Sequence, residues 1–384
     1  MCRPQSIRIL GAGVAGLAAA IALAEDGHHI ELIDERFEIP SVGTSLGMFA
    51  SAQSAMARLG VLDDVRNASI APRRGVIYGQ DGQAIATLPA GDALLLARSD
   101  LVQILRDAVP ESVQQVRRRI EDVRPLRAGV DLLIGADGVH SLVRRSGWPG
   151  RQSARTHGMT VLRGTADIAP PEISETWGGG WLFGITPLAG ATFADTTATA
   201  TTSTSTSTST STSTTGTNWF ACLPEHRAPS VHADLAHLRS VVGGRRPAID
   251  AVLAAARPES TLVHGLHTTP PVHPVRENVV LLGDAALAMA PNLGHGANTA
   301  LQDAVALATA LRNASAGRAG SNSATLSAAL RAYARNRALP GHAWRIGSAL
   351  MLRTAMMDEH AGLRDRAVQA AGSLARRRAE ALRR

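Results

Sequence analysis

The chain has 384 residues, a length that favours two domains over one core, and its composition is that of a soluble globular protein. Its net charge is +7 and every basic residue other than histidine is arginine, but the arginines are scattered and aromatic residues are scarce, which disfavours nucleic-acid binding. No apolar run reaches the roughly 18 residues of a membrane span, and Cys2 and Cys222 are too few for a disulfide framework, so we expect a cytoplasmic protein without an integral membrane span.

The beginning of the chain predicts a strand, a glycine-rich turn, a helix and a second strand. Ile7 to Leu10 form a short apolar run, and the helical pattern after the turn continues to Ala24. The second strand, "HIELID", ends at Asp34. This order predicts the first unit of a parallel sheet.

Further elements follow in chain order. "SLGMFASAQSAMARLG" predicts a helix, "GVIYGQDGQAIATL" a hairpin, "RSDLVQILRDAV" a helix capped by Ser99 or Asp100, and "VDLLIGADG" a buried strand. Residues 156–269 are rich in strand patterns, after which one strand and then helical patterns continue to the C-terminus. The Thr/Ser tract at 196–217 has almost nothing apolar to bury, and we expect a mobile surface loop there.

The glycine-rich turn has the spacing of a dinucleotide-binding motif. Gly11, Gly13 and Gly16 form GxGxxG after a predicted strand and at the start of a helix, and Asp34 follows at the end of the next strand. Glycines allow the backbone to approach a pyrophosphate, the helix N-terminus favours its charge, and the carboxylate accepts hydrogen bonds from ribose hydroxyls. This context favours dinucleotide binding over an ordinary turn.

A second acidic residue follows a buried strand in "DLLIGADGVHSLVRR". Asp137 and Gly138 come directly after this strand, and Arg144 and Arg145 follow on the next turn or helix. An Asp-Gly pair at a strand end is also common in simple turns. Both interpretations stay open for this segment alone.

A third acidic residue follows the apolar strand in "VVLLGDAALAMAPNLGHGAN". Asp284 lies at the end of this strand, where open α/β sheets bind ligands. Pro291 and the "NLGHG" turn would direct the backbone N–H groups of Gly296, Ala297 and Asn298 outward at the start of a helix. Such donors suit the polar edge of a flavin ring and stabilise its anionic reduced form.

Together these segments resemble the single-component FAD-dependent aromatic hydroxylases of the para-hydroxybenzoate hydroxylase type. The motifs occur in that family's order: GxGxxG, "ARSDLVQIL", "GADGVHS", a strand-rich middle and "LLGDAA…P…GHGAN". The resemblance covers most of residues 5–312. It implies FAD as cofactor and NADPH or NADH as co-substrate.

The resemblance also implies roles for individual residues. Asp34 would hold the adenosine ribose, Arg98 would lie along the FAD, and Asp137 with Gly138 would belong to a motif for both FAD and NAD(P)H. Asp284 would hold the ribityl or pyrophosphate region. After Pro291, the segment at 296–298 would cradle the isoalloxazine ring.

The chemistry implied by the resemblance is oxygen transfer to an aromatic molecule. The nicotinamide reduces FAD, O₂ adds to give a flavin C4a-hydroperoxide, and its distal oxygen passes to a phenolic or polycyclic aromatic substrate. The protein supplies a dry, shaped pocket and in some members a base that forms the phenolate. We nominate no catalytic side chain. The candidates are His157, His226, His264 and His267, and for each of them a surface or strand position is favoured over the role of that base.

Other functions are weighed against this one. A flavin-dependent halogenase is disfavoured because its mechanism needs a lysine and the chain has none. An epoxidase of the same superfamily differs only in substrate. A divergent flavin-binding protein with little turnover is the third alternative, since Leu287 replaces the family's usual histidine and the segment at 110–130 is shorter than usual, which could expose a sheet edge.

The sequence therefore predicts an α/β fold in which a Rossmann-like FAD-binding domain with a mostly parallel sheet is interrupted by a strand-rich (α+β) substrate domain. The assembly is expected to be a monomer or homodimer. The predicted domains are residues 1–75, 96–155 and 274–345 for FAD binding, 76–95 and 156–273 for the substrate, and 346–384 for C-terminal helices.

Overall fold

The structure is a computed structural model, and it describes residues 4–39, 44–89, 91–150, 154–170, 172–188, 216–226, 228–291, 294–316 and 322–381. Most of the predicted Thr/Ser loop lies outside these residues. Its last two residues, Gly216 and Thr217, are not part of a loop, because they begin a buried strand.

The strands in the described ranges are β1 (Ser6–Leu10), β2 (His29–Asp34), β3 (Ser45–Met48), β4 (Arg74–Tyr78), β5 (Ala84–Pro89), β6 (Leu94–Ala97), β7 (Gln114–Arg117), β8 (Leu132–Gly135), β9 (Arg155–Ala166), β10 (Ser174–Trp177), β11 (Leu182–Leu188), β12 (Gly216–Pro224), β13 (Ala256–Thr268), β14 (Val275–Arg276) and β15 (Val279–Leu281).

The helices in the same ranges are α1 (Val14–Glu25), α2 (Ala50–Arg58), α3 (Leu62–Asn67), α4 (Arg98–Asp107), α5 (Leu142–Gly147), α6 (Val231–Val242), α7 (Pro247–Ala255), α8 (Gly283–Leu287), α9 (His295–Ala316), α10 (Asn322–Ala355) and α11 (Ala361–Ala381). A short 3₁₀ helix covers Arg124–Arg127.

The first sheet, within the described residues, has the strand order β14-β15-β8-β1-β2-β7. All neighbouring pairs are parallel except β14 with β15. Strand β8 and strand β15 are buried along their whole length, as expected for parallel strands covered on both faces. The predicted α/β fold with a mostly parallel sheet is confirmed.

The second sheet has the order β13-β9-β12-β11-β10-β4-β5 in the described part of the chain. Its pairs are antiparallel except β4 with β10. Trp219 and Leu223 on one face of β12 pack into a core with Leu238 of α6 and Leu253 of α7. The opposite face is therefore left for other contacts. The predicted hairpin is β4 and β5, and the domain bounds themselves stay a prediction.

One helix prediction was wrong in its first turn. "SLGM" is not helical but forms β3, which pairs antiparallel with β6, and α2 begins only at Ala50. Its partner strand β6 lies far away in sequence, and a local helical pattern does not reveal such a pairing.

The predicted cap of α4 was also wrong. The helix begins at Arg98 with Ala97 at the N-cap position, so Ser99 and Asp100 lie inside the first turn. Ala97, the last residue of β6, occupies the cap position and has no side-chain acceptor. The Arg98 N–H instead donates to the carbonyl of Thr44 at 2.8 Å.

Two further regions concern the sequence predictions, the segment at 110–130 and the predicted boundary at 345. The short segment at 110–130 contains β7, an edge strand whose residues are mostly exposed. Helix α10 runs through the predicted boundary at 345 without a break. In the described ranges, none of the helices has both the length and the apolar character that crossing a bilayer requires.

Candidate functional site

The three acidic motifs meet at one edge of the parallel sheet. Leu10, Gly135 and Leu281 are neighbours in register across β1, β8 and β15, and each lies at the C-terminal end of its strand. The segments after these strands therefore emerge side by side. Their convergence is the first requirement for a shared nucleotide site.

The glycines of the first motif have different tasks. A Cβ atom on Gly11, where φ is +108°, would lie 2.4 Å from the Ala136 carbonyl oxygen, and one on Gly16 would lie 1.8 Å from the Gly11 oxygen. These two positions need glycine for packing of the strand ends and α1. A Cβ on Gly13 would meet nothing within 4 Å, so open space lies at the N-terminus of α1. That space fits a pyrophosphate.

Asp34 ties the end of β2 to the glycine-rich turn. Its carboxylate accepts from the backbone N–H of Ala12 at 2.6 Å and of Arg36 at 2.8 Å. A carboxylate has about four acceptor positions, so both oxygens can still accept from a ribose hydroxyl. The side chain is half-buried at the sheet edge.

Asp137 holds the start of α5. It accepts hydrogen bonds from the Ser141 hydroxyl and from the N–H groups of Leu142 at 2.6 Å and Val143 at 3.2 Å. Burial raises its pKa, and these hydrogen bonds act in the opposite direction. Gly138 follows with φ at +77°, which glycine adopts without strain. The Asp137 carboxylate thus stabilises the start of α5. A bound nucleotide could donate hydrogen bonds only to the acceptor positions that these contacts leave free.

Arg144 links the second motif to the third. This fully buried guanidinium donates to the carbonyls of Ala285 at 3.1 Å and Ala286 at 2.9 Å in α8, and to the carbonyl of Pro270. Asp137 fixes α5, and α5 in turn fixes the segment that carries Asp284. A nucleotide site can therefore depend on the second motif without direct contact.

Asp284 lies in the first turn of α8 rather than on the strand itself. Gly283 has φ at +54° and fits between Ala15 of α1 and Ala300 of α9, where an added Cβ would be 3.0 and 3.3 Å from their Cβ atoms. The Asp284 carboxylate is accessible to water, yet burial raises its pKa while Arg98 lowers it. A group that is both accessible and surrounded by protein lines a recess.

The start of α9 lies beside this carboxylate. A Cβ on Gly296 would be 3.9 Å from Asp284 Oδ1. The N–H groups of Gly296 and Ala297 belong to the first turn, where a helix leaves its donors without intrahelical acceptors, whereas the N–H of Asn298 faces the carbonyl of Gly294 before the helix. Pro291 precedes this turn and is exposed. Acceptors of a bound ring would find donors here.

The Asn298 side chain is committed to structure. It is fully buried, its Oδ1 accepts from the Phe49 N–H at 2.9 Å, and its Nδ2 donates to the carbonyls of Gly47 at 2.7 Å and Gly294 at 2.9 Å. It joins the start of α9 to β3. Its two amide donors are therefore not available to a cofactor, and binding through the Asn298 backbone stays a prediction.

Arg98 connects this recess to the second sheet. Its exposed side chain lies near enough to Asp284 to lower that pKa and near enough to Arg163 of β9 to lower the pKa of Arg163. The two sheets therefore present charged groups to the same space. The resemblance implied that Arg98 lies along the FAD, whereas the sequence analysis did not single out Arg163.

The face of the second sheet toward β3 carries an aromatic ring between two polar groups. Asn218 on this face accepts from the Ser45 N–H at 2.9 Å, which fixes the direction of the face. Arg163, Phe220, Gly184 and Glu175 are in register across β9, β12, β11 and β10. The Phe220 ring lies over Gly184, where an added Cβ would be 2.1 Å from its Cε1 atom. Such a surface suits a flat aromatic molecule.

Glu175 and Arg163 have unusual surroundings for charged groups. Burial raises the pKa of Glu175 to about 7, although the Trp177 indole donates to it at 2.5 Å. Burial also lowers the pKa of Arg163, and its Nε is buried without an acceptor among the described residues. Titratable groups perturbed in this way are candidates for a functional site. Sequence reasoning missed both. Arg163 follows the apolar run "VL" within β9, which is a signal in the sequence, whereas Glu175 lies in the mostly polar strand "SETW" and gives none.

Three of the four histidines considered in the sequence, His157, His264 and His267, lie near one another, and His267 contributes to lowering the pKa values of the other two. His264 lies in β13 next to Arg163, and burial and that arginine lower its pKa. His226 contacts Asp234 of α6 at 2.8 Å, and His157 contacts Thr268 at 2.7 Å. The ring of His267 lies 5.1 Å from the ring of His140 in the second acidic motif, whereas the contacts of His157 and His226 involve none of the three motifs.

Comparison with known proteins identifies the family. A model described as "FAD binding domain" matches residues 97–341, and one described as "NAD(P)-binding Rossmann-like domain" matches residues 9–40. The first match spans more than half of the chain. The chain belongs to the FAD-binding domain family. FAD is therefore confirmed as the cofactor, and the glycine-rich turn lies in the matched Rossmann-like segment.

The proteins to which this chain is similar include monooxygenases. Aurachin C monooxygenase/isomerase of Stigmatella aurantiaca is 27% identical over 335 residues, which are 80% of each chain. 2-Heptyl-3-hydroxy-4(1H)-quinolone synthase of Pseudomonas aeruginosa is 29% identical over 79% of this chain and 80% of its own. The resemblance to FAD-dependent aromatic hydroxylases is confirmed.

A solved structure shows the same fold. HpxO of Klebsiella pneumoniae, in complex with FAD and uric acid, superposes with a TM-score of 0.75 over 95% of this chain and 93% of its own, at 21% identity. The likeness at this identity concerns the fold alone. The roles of the individual cofactor-binding residues remain predictions.

Proposed function

We propose that this FAD-binding protein is a monooxygenase that uses NADPH or NADH and O₂ to hydroxylate a phenolic or polycyclic aromatic molecule. The observation that carries the proposal is the arrangement of the site. Three strand-end motifs and the α9 N-terminus form one recess, and Arg98 connects it to a sheet face that presents Phe220 between Arg163 and Glu175. A cofactor and a flat substrate can therefore lie next to each other.

The chemistry divides between cofactor and protein. Bound FAD would accept a hydride from the nicotinamide and deliver one oxygen atom of O₂ to the ring, the other oxygen leaving as water. The Gly13 turn and Asp284 bind and orient the cofactor in this scheme. The Glu175 carboxylate accepts the proton of a substrate O–H or N–H, because a base with a pKa of about 7 is partly ionised at neutral pH.

Arg163 stabilises the negative charge that this proton loss leaves on the substrate. Its Nε is buried and lacks an acceptor among the described residues, so a substrate oxygen would satisfy it. Val161 and Leu182 on the same face are buried and exclude water from the ring. Cys222 between them takes no chemical part, because burial and the nearby Glu175 raise the pKa of its thiol to about 12.

The relatives narrow the substrate class. Their names describe a quinolone and, for 3-amino-4-hydroxybenzoate 2-monooxygenase of Streptomyces cremeus, an aminohydroxybenzoate. Both are aromatic rings that bear an N–H or O–H group and an oxygen substituent. We propose a substrate of this kind, with its acidic hydrogen toward Glu175 and an oxygen toward Arg163. We also propose a monomer or homodimer in the cytoplasm.

The test is oxidation of NADPH and NADH by the purified protein in the presence of FAD. A panel of hydroxyquinolines, quinolones and phenols should stimulate oxidation, and mass spectrometry with ¹⁸O₂ should show one labelled oxygen in the product. The proposal is wrong if FAD binds but no aromatic compound in the panel increases oxidation or gains oxygen. Structure determination of the product separates ring hydroxylation from epoxidation, since both add one oxygen.

One observation supports a second candidate function, that of a flavin-binding protein with little turnover. Leu287 is buried in α8, and its Cδ2 lies 2.9 Å from the position that a Cβ on Gly341 would occupy. The residue that replaces the family's histidine thus packs against α10 and brings no polar group to the site. Bound flavin without stimulated oxidation would favour this candidate.

A further inference from the structure

The outer side of helix α10 carries apolar side chains that nothing in the described structure covers. Leu339, Ile346 and Leu350 are 79%, 59% and 65% exposed. Their spacing of seven and four residues places them along one line of the helix, about 16 Å long. We call these three residues the α10 stripe. Monomeric proteins rarely expose large apolar side chains in a row without an interaction partner.

The opposite side of the helix supplies the packing that the fold needs. Tyr333 and Leu330 belong to the core of the parallel sheet, and Leu352 and Ala355 pack with Trp177 of the second sheet. The stripe is therefore not required to hold α10 in place. An apolar side that the fold does not use is suited to bind a further surface.

Charge identifies the kind of surface. Residues 322–355 contain five arginines and no aspartate or glutamate. Three of these arginines, Arg331, Arg335 and Arg353, are exposed near the ends of the stripe. Within residues 322–384 there are 12 arginines and four acidic residues, so the remaining 27 arginines and 28 acidic residues nearly cancel. The whole net positive charge of the protein lies in this C-terminal segment.

We propose that the α10 stripe docks on the surface of an anionic lipid bilayer. Leucine and isoleucine side chains enter the boundary between headgroups and acyl chains, and flanking arginines pair with anionic headgroups. A second copy of the chain would bring two arginine-rich helices together without acidic partners on α10. A nucleic acid would satisfy the arginines but leave the apolar side chains in water. A docked α10 would lie between the lipid and the second sheet.

The experiment is sedimentation of the full-length, FAD-loaded protein with sucrose-loaded vesicles. Vesicles of phosphatidylcholine with 30% phosphatidylglycerol should bind the protein, vesicles of phosphatidylcholine alone should not, and binding should weaken as salt is raised. The Ile346→Ser/Leu350→Ser double variant should bind roughly tenfold less, because it removes two apolar side chains that docking would bury in the lipid. Leu88→Ser, at a leucine that is 52% exposed on β5, is the matched control and should bind like the wild type.

A charge variant tests the second half of the proposal. Arg331→Gln/Arg335→Gln/Arg353→Gln should also lose binding to anionic vesicles while keeping the wild-type circular dichroism and FAD absorbance. Absence of binding by the wild type would overturn the proposal. So would unchanged binding of both variants, or a dimer in light scattering that Ile346→Ser/Leu350→Ser converts to a monomer, since that assigns the stripe to a second copy. None of these readouts depends on the proposed reaction.

Discussion

Glu175 of β10 and Asp284 of α8 are two carboxylates whose pKa values are raised by burial. They differ in their partners. Asp284 lies beside a helix N-terminus and near Arg98, so it is suited to bind a polar cofactor. Glu175 receives a hydrogen bond from Trp177 and lies beyond Phe220 on the face of the second sheet toward β3, which we call the proposed substrate face, so it is suited to exchange a proton. The two residues give separate predictions.

Glu175→Gln should reduce turnover and leave the fold intact. The base must be ionised to act, so kcat of the wild type should rise with pH through about 7. The variant should have a kcat lower by about 100-fold and lack this acidic limb. Glu172→Gln is the control, because that carboxylate pairs with Arg246 instead, and it should keep the limb. A pH profile of Glu175→Gln like that of the wild type would exclude the proposed base.

The same substitution should not cost stability. The fold raises the pKa of Glu175 from 4.5 to about 7, so the folded state holds this proton more tightly than the unfolded chain. The free energy of unfolding therefore falls as the pH rises from about 4.5 through about 7. At pH 8, Glu175→Gln should be more stable than the wild type by about 1–2 kcal/mol, measured by urea unfolding. A lower stability of the variant at pH 8 would mean that the carboxylate is structural.

Asp284→Ala should weaken FAD binding about 10- to 100-fold, because it removes a charged hydrogen-bond acceptor from the site. Its raised pKa indicates that the ionised group does not stabilise the apoprotein, so the melting temperature without FAD should not fall. Fluorescence titration with FAD provides the affinity. Glu111→Gln, at an exposed carboxylate outside the motifs, should bind FAD like the wild type. Equal FAD affinities of Asp284→Ala and Glu111→Gln would mean that Asp284 does not contribute to FAD binding.

At the scale of elements, the turn before α1 separates a folding role from a binding role. A methyl group on Gly16 would overlap the Gly11 carbonyl, whereas one on Gly13 would meet no protein atom within 4 Å. Gly16→Ala should therefore lower the melting temperature. Gly13→Ala should melt like the wild type without FAD but bind FAD more weakly, since its methyl group occupies the open space at the helix N-terminus. Unchanged FAD affinity of Gly13→Ala would place the pyrophosphate elsewhere.

The link between α5 and α8 gives another element-scale prediction. Arg144→Met removes a buried guanidinium and leaves the carbonyls of Ala285 and Ala286 without these hydrogen bonds. We expect a loss of about 3 kcal/mol in the free energy of unfolding and weaker retention of FAD. Arg145→Met, at the exposed neighbouring position, is the control. Equal stability of the two variants would contradict the linking role of Arg144.

Sequence patterns identified those elements whose signals are local. The strand, turn and helix around Gly11 follow from apolar runs and glycine spacing, and α9 follows from its glycine turn and its period. "SLGM" was misjudged because it pairs with β6, a partner that only the folded chain brings near. The hydrogen bonds of Asp137 to the start of α5 are also not evident from the sequence, and its place in a nucleotide motif stays a prediction.

The proposed substrate face is the part of the site that could not be predicted from the sequence. Arg163, Phe220 and Glu175 lie on three strands that are adjacent or nearly so in the sheet but far apart along the chain. Each looks like one polar or aromatic residue in a strand. Their common orientation follows only from the register of β9, β12, β11 and β10.

At the scale of the whole molecule, the two sheets divide the work. The parallel sheet gathers the predicted cofactor motifs at its carboxyl edge, and the second sheet offers an aromatic face with a carboxylate and a guanidinium. Arg98 is close to Asp284 of α8 and to Arg163 of the second sheet. Cofactor affinity and substrate turnover should thus be separable by mutation, with Asp284 affecting the first and Glu175 the second.

The most direct measurement is the stoichiometry and affinity of FAD for the purified chain. The protein should be yellow, bind one FAD per chain, and lose affinity in Gly13→Ala and Asp284→Ala but not in Glu175→Gln. A protein that stays colourless after addition of FAD, or one whose FAD affinity is the same in all four forms, would contradict the site described here.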